Sequence, residues 1–173
     1  MRGGMTRPVN GPMDAAARLE SRAACPNVNF TVTDAEAADL AEIIDLDARI
    51  VGYTRADFWR DLFRQRATSA TLCVLVAKSS GKIVGYAAGE VRSWPVRAPI
   101  CGWLYAIGVQ KEHRQQKIAT ALMTELISRF TKNGVGAIRT MIDIDDHLLM
   151  SFLRSFGMTA GPFVELEMRV SQP

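Results

Sequence analysis

From Asn29 onward apolar positions recur with two different periods, and the switches between them mark out the elements. Phe30-Thr31-Val32 reads as a short strand. Thr33-x-x-Glu36 has the spacing of a capping box, in which a hydroxyl and a carboxylate each satisfy a free backbone N–H. The helical period that follows predicts one face built from Ala37, Leu40, Ala41 and Ile44. A second helix is expected from near Thr54, carrying Phe58, Trp59, Leu62 and Phe63. Two runs rich in β-branched residues, 71–78 and 82–94, flank Ser79-Ser80-Gly81 and predict a hairpin.

Beyond a loop running from Pro95 to Pro99, residues 100–109 read as another strand. Ile118, Leu122, Leu126 and Phe130 then recur every fourth residue, which predicts a long helix stopped by Asn133-Gly134. Residues 137–144 read as a strand, 146–156 as a helix ended by Gly157, and 163–170 as a last strand, with room for one more near Met158. The order β-α-α-β-β-β-α-β-α-β predicts an α/β (α+β) fold without internal repeats.

Composition narrows the class. The chain has 173 residues, 48% hydrophobic and 23% charged, which suits one globular domain. No apolar run approaches the roughly 18 residues of a membrane span, so no membrane partner is expected. Net charge is +3; residues 1–27 supply +2 of it and the remainder only +1, so no basic stripe exists to track nucleic acid. Residues 1–27, with Gly-Gly, three prolines and Asn-Gly, are read as a disordered tail without the apolar core of a secretory signal, which leaves 28–173 as the domain. Cys25, Cys73 and Cys101 are widely spaced and form no CxxC, and His113 and His147 lie far from them. Free thiols in a reducing, cytoplasmic setting are expected, and no metal site.

Candidate chemistry concentrates between Trp103 and Met123, where a strand runs through a short polar turn into the long helix. The first turn of a helix offers N–H groups without intrahelical partners at a positive dipole end, an arrangement suited to a diphosphate. Val109, Arg114, Lys117 and Ala119 resemble the cofactor motif Val-x-x-x-x-Arg-x-x-Gly-x-Gly/Ala of the GNAT acetyltransferases. The resemblance implies a mixed, mostly antiparallel twisted sheet of six to seven strands flanked by about four helices. It implies acetyl-CoA as co-substrate, its diphosphate held by amides of Gln115, Gln116, Lys117, Ile118, Ala119 and Thr120. It further implies that backbone groups of Ile107 and Val109 pair with the pantetheine arm, with Gly108 between them, and that the Val109 N–H stabilises the oxyanion. Gly108 could also permit a strand bulge that re-aims these groups. Lys117 stands where the motif has glycine; a positive φ there would cost lysine something, whereas otherwise its ammonium helps neutralise phosphate, the preferred reading.

Residues 140–158 are similar to the family's late strand and helix, where Asn opens a helix reading Ala-x-x-Phe-Tyr and ending in Gly-Phe. Asp146 stands at the Asn, Ser151 at the Ala, Phe152 at the Phe, Leu153 at the Tyr and Gly157-Met158 at the end. The resemblance places Asp146, Ser151 and Phe152 with the cofactor. The family's tyrosine often protonates the departing thiolate, a role leucine cannot take, so no residue is assigned to it. Many members also use a glutamate on the strand before the cofactor loop as general base; residues 101–109 contain no carboxylate. Asp143 and Glu90, then Tyr105, are the candidates. Asp143 alternates with Ile142 and Ile144, and Asp145 shares its face. The acceptor is expected at 45–59, where Asp45, Asp47 and Tyr53 could meet a cationic amine. These residues point to an acetyl-CoA-dependent N-acetyltransferase acting on a primary amine of a small molecule, a lysine or a protein N-terminus. A catalytically weak or inactive acetyl-CoA-binding sensor is the alternative. An unrelated phosphate binder finds no support in a GxxxxGK[ST] motif. Family members are often dimers, so a homodimer is an expectation from resemblance alone.

Overall fold

The computed structural model describes residues 29–94 and 98–168; the tail reading at 1–27 and Cys25 lie outside them. Its elements are β1 (Thr31–Asp34), a 3-10 turn (Ala37–Asp39), α1 (Leu40–Val51), α2 (Ala56–Arg66), β2 (Leu72–Ser79), β3 (Lys82–Trp94), β4 (Ala98–Val109), α3 (Ile118–Lys132), β5 (Ile138–Arg139) and α4 (His147–Ser155). Contacts divide the chain into two units, one ending at Thr140 and one beginning at Met141. No described helix is long and apolar enough to cross a membrane.

The first unit is a sheet in the order β1-β2-β3-β4-β5, antiparallel except for the parallel β4–β5 pair. On one face Leu72, Val74 and Val76 of β2, with Tyr86 and Ala88 of β3, pack against Ile43 and Leu46 of α1 and Trp59 and Leu62 of α2. On the other, α3 buries Ile118, Leu122, Leu126 and Phe130, the apolar stripe read from the sequence, together with Met123. Phe130 lies so close to β3 and β4 that a Cβ on Gly89 or Gly102 would enter its ring.

Three local expectations shift. The capping box forms three residues later than expected: Glu36 N–H donates to Asp39 Oδ2 (2.8 Å), while Thr33 stays in β1 opposite Val76. Extended backbone continues because Ala35 N–H donates to Val74 C=O (2.9 Å). Residues 37–39 then wind as a 3-10 turn, so the phase of α1 slips and its buried residues are Ile43, Leu46 and Asp47. Ala37 and Ala41 are exposed, and Leu40 and Ile44 are half-buried.

Among the described residues the sheet has five strands rather than six to seven. The run expected at 137–144 pairs only at Ile138 and Arg139, opposite Gly102 and Trp103. Residues 163–168 alternate as a strand would but join no ladder, leaving Val164, Leu166 and Met168 exposed. No strand forms near Met158. In the second unit, Asp146 caps α4 by accepting from Leu149 N–H (2.9 Å).

Candidate active site

β4 is bent where the chemistry concentrates. Ala88 pairs with Ala106 and Gly89 with Leu104, so Tyr105 is the extra residue of a bulge. The bulge was anticipated at Gly108; it sits three residues earlier, and it turns both Tyr105 and Ala106 toward the core beneath α1 and α2. Downstream the ladder is regular, with Gly108 opposite Tyr86 and Gln110 N–H donating to Val84 C=O (2.9 Å). Antiparallel residues bond to a given neighbour alternately, so the amides of Ile107 and Val109 face away from β3. β5 follows that far edge only to Trp103, with Thr140 Oγ1 donating to Leu104 C=O (2.9 Å) just beyond. From Tyr105 to Val109 the edge meets no strand among the described residues.

The chain then makes a 3-10 turn at Lys111–His113, extends at Arg114 and enters α3 at Ile118. Gln115 (φ 63°) and Lys117 (φ 60°) are both left-handed. Lys117 therefore does occupy a position that favours glycine, and its preferred assignment as a conformationally ordinary residue is corrected. Its side chain is exposed, so its charge remains available. Arg114 N–H closes back on Lys111 C=O and Ala121 N–H on Lys117 C=O; among the described residues the N–H groups of 115–120 donate to no backbone carbonyl. Two left-handed residues thus hold a run of free amides at the positive end of a fifteen-residue helix.

Two candidate bases meet. Tyr105 Oη donates to Glu90 Oε2 (2.9 Å), Ser69 Oγ donates to Glu90 Oε1 (3.3 Å), and Arg92 Nη1 donates to Tyr105 Oη (3.0 Å). Burial, and then the hydrogen bond to Glu90, push the Tyr105 phenol above its ordinary value. Asp143 belongs to the second unit and is not on a strand: its Oδ1 accepts Asp145 N–H (2.9 Å) in a turn ahead of α4, and Asp143, Ile144 and Asp145 are exposed.

The most buried polar group is one expected at the acceptor site, and its surroundings withdraw it. Asp47 is fully buried; it accepts from Tyr86 Oη (2.5 Å) and from Arg55 Nε and Nη2 (2.9 and 2.5 Å). Burial works to raise its pKa, but the bonds from Arg55 and Tyr86 outweigh it and hold the carboxyl below its ordinary value. Asp47 is thus committed to tying α1, α2 and β3 together and is not free to meet a cationic amine, whereas Asp45 and Tyr53 are exposed. The signal was an acid on the same stripe as Ile43 and Leu46, where an unpaired carboxylate would be prohibitive. Gly108 belongs to this cluster: a Cβ there would lie 2.6 Å from both Cζ and Oη of Tyr86 and 3.0 Å from Ile50 Cδ1.

Comparison with known proteins gives this geometry its place. The sequence model of the Acetyltransferase (GNAT) family matches residues 37–158. The chain belongs to that family. No curated protein sequence matches it. Among solved structures it is similar to AAC(6')-Iy in complex with the bisubstrate analogue CoA-S-monomethyl-acetylneamine, at TM-score 0.72 and 14% identity, covering 83% of this chain and 100% of that one. Aminoglycoside 6'-N-acetyltransferase AAC(6')-Ih from Acinetobacter baumannii gives 0.70 and 15%, covering 82% and 99%. A ribosomal-protein-alanine N-acetyltransferase from Brucella melitensis biovar Abortus 2308 gives 0.66 and 18%, with the same coverage.

Within this GNAT chain the second unit carries the remaining motif positions. Ser151 is exposed, Phe152 packs edge-to-face on Phe156 (centroids 5.2 Å apart) and Leu153 is buried. Cys73 and Cys101 are free thiols, and burial raises the pKa of Cys73.

Proposed function

We propose that this chain is an acetyl-CoA-dependent N-acetyltransferase that moves an acetyl group to a primary amine by direct attack on the thioester. The observation that carries it is the run of free N–H groups at 115–120, directly following a strand edge that offers Ile107 and Val109. Those donors suit a diphosphate, and the edge suits the amides of a pantetheine arm. Bound there, acetyl-CoA supplies an acetyl group already activated as a thioester.

The chain's own residues hold and move protons around it. Glu90 is the base favoured by the geometry: Tyr105 is kept as a neutral phenol and gives its proton's hydrogen bond to the carboxylate, so Glu90 is the member of the pair ready to accept. The outward-facing Val109 amide stabilises the oxyanion, and the bulge at Tyr105 brings the hydroxyl and that edge onto one short stretch of β4. Buried Leu153 offers no proton to the leaving group; a thiol with a pKa of about 8.5 leaves tolerably as thiolate near neutrality. The same reading takes 28–173 as one domain working in a reducing, cytoplasmic setting, in keeping with free Cys73 and Cys101.

Free-thiol release from acetyl-CoA across a panel of amines tests the reading. Turnover with at least one amine, reduced about 100-fold or more in Glu90→Gln and less in Tyr105→Phe, is expected. Calorimetry showing no heat with CoA would overturn it. The leucine at the tyrosine position favours a second reading, a sensor, which binds acetyl-CoA yet releases no thiol with any amine.

A further inference from the structure

Six of the described cations, Arg55, Arg60, Arg64, Arg66, Lys78 and Arg129, are tied to carboxylates. Arg49, Lys82, Lys111 and Arg114 have no ion pair among the described residues, and all four line one open groove of about 980 Å³ between α1 and the turn after β4. Three carboxylates, Glu42, Asp45 and Glu112, share the lining, so the cations outnumber them by one. Glu42 Oε1 accepts from Ile83 N–H (2.9 Å), which orients that carboxylate on the groove wall and leaves its charge in place.

Position links the groove to the reaction. Ile50 lines it, and the same side chain reaches within 3.0 Å of where a Gly108 Cβ would stand, one residue from the Val109 amide. The groove therefore opens on the α1 side of β4, whereas the edge of Ile107 and Val109 faces away from β3. Ile50 is thus the side chain that the groove shares with the stretch of β4 carrying the Val109 amide. The groove's volume is of the size that holds a metabolite.

We infer that this groove selects an acceptor bearing an anionic group, phosphate or carboxylate, in addition to its amine, and disfavours polycationic amines. The inference rests on the acetyl-transfer reading above and names the substrate class for that site. Exposed charges at this spacing act through complementarity and steering, so the selectivity is sensitive to salt.

The test uses the full chain at low ionic strength, with binding to the CoA-saturated protein read by calorimetry. O-Phosphoethanolamine and ethanolamine share an amine and differ by a phosphate; spermidine serves as the polycation. The expected result is about tenfold or greater preference for O-phosphoethanolamine over ethanolamine, with spermidine weakest. Arg49→Glu combined with Lys82→Glu, both at exposed positions, should abolish the preference, and Lys132→Glu at the end of α3 should keep it. No preference in the parent, or one that survives the double reversal, overturns the inference. So does a double variant weakened toward CoA but not toward 3'-dephospho-CoA, which would assign the groove to the cofactor's own phosphate. Failure of the parent to bind CoA is a different result: it removes the acetyl-transfer reading, and this assignment with it.

Discussion

Gly108→Ala is the substitution whose consequence can be worked most fully. The new Cβ would meet Cζ and Oη of Tyr86 at 2.6 Å, well inside ordinary contact, so ring or strand must give by most of an ångström. The ring has little freedom. Its hydroxyl is held by Asp47 at 2.5 Å, and its edge packs against Trp59 with centroids 5.1 Å apart. Overpacking of a tight core costs about 1–3 kcal/mol. Displacing the phenol also takes a donor from a fully buried carboxylate, a bond to a charged group worth about 1.5–3 kcal/mol. Together these predict a loss of about 3–5 kcal/mol, read as a lower urea midpoint at unchanged slope. The decisive control is the same substitution in a Tyr86→Ala background. There the ring is gone, and Gly108→Ala should cost less than about 1 kcal/mol. Equal costs in the two backgrounds would refute the claim that Tyr86 is why position 108 is glycine.

Lys117→Gly relieves a left-handed lysine (φ 60°) and should stabilise the fold by about 0.5–1 kcal/mol; if the ammonium also helps hold phosphate, CoA affinity falls several-fold in the same variant, and calorimetry separates the two effects. Ala119→Glu places an acid in the first turn of α3, so the free protein should gain a few tenths of a kcal/mol in thermal or urea unfolding while CoA binding weakens at least about tenfold through repulsion of the diphosphate; unweakened binding would remove these amides from the site. Asp47→Asn breaks a buried charged pair and should cost about 3–5 kcal/mol at neutral pH. Because the folded-state pKa of Asp47 lies below its ordinary 3.8, that contribution is complete above the ordinary value and is lost as pH falls through the folded one. The stability gap between parent and variant should therefore shrink in acid; a gap that widened would contradict the assignment.

Where the chain reads as helix or strand was legible wherever local periodicity and burial agree. The stripe Ile118, Leu122, Leu126, Phe130 and the hairpin around Ser79-Ser80-Gly81 needed nothing beyond their own spacing, and so did the strand–turn–helix order that resembled a cofactor loop. Side-chain roles were less legible: Asp146, placed with the cofactor by resemblance, is seen in the structure to cap the helix it precedes. Asp143 shows the converse. Its alternation with two isoleucines predicts a strand, but a ladder needs a second strand, and its carboxylate closes a local turn instead.

Sequence by itself thus determined the element order, the family resemblance and the segment holding the free amides, since these depend on residues near one another in the chain. Tertiary structure alone decided which candidates lie together. It brought Glu90 to Tyr105 across two strands through a bulge that no period announces, withdrew Asp47 into a bond with Tyr86 thirty-nine positions away, and gathered four unpaired cations from α1, β3 and the turn after β4. The reason is physical: burial and the pairing of charge are properties of what surrounds a residue, and most of what surrounds these residues is distant in the chain.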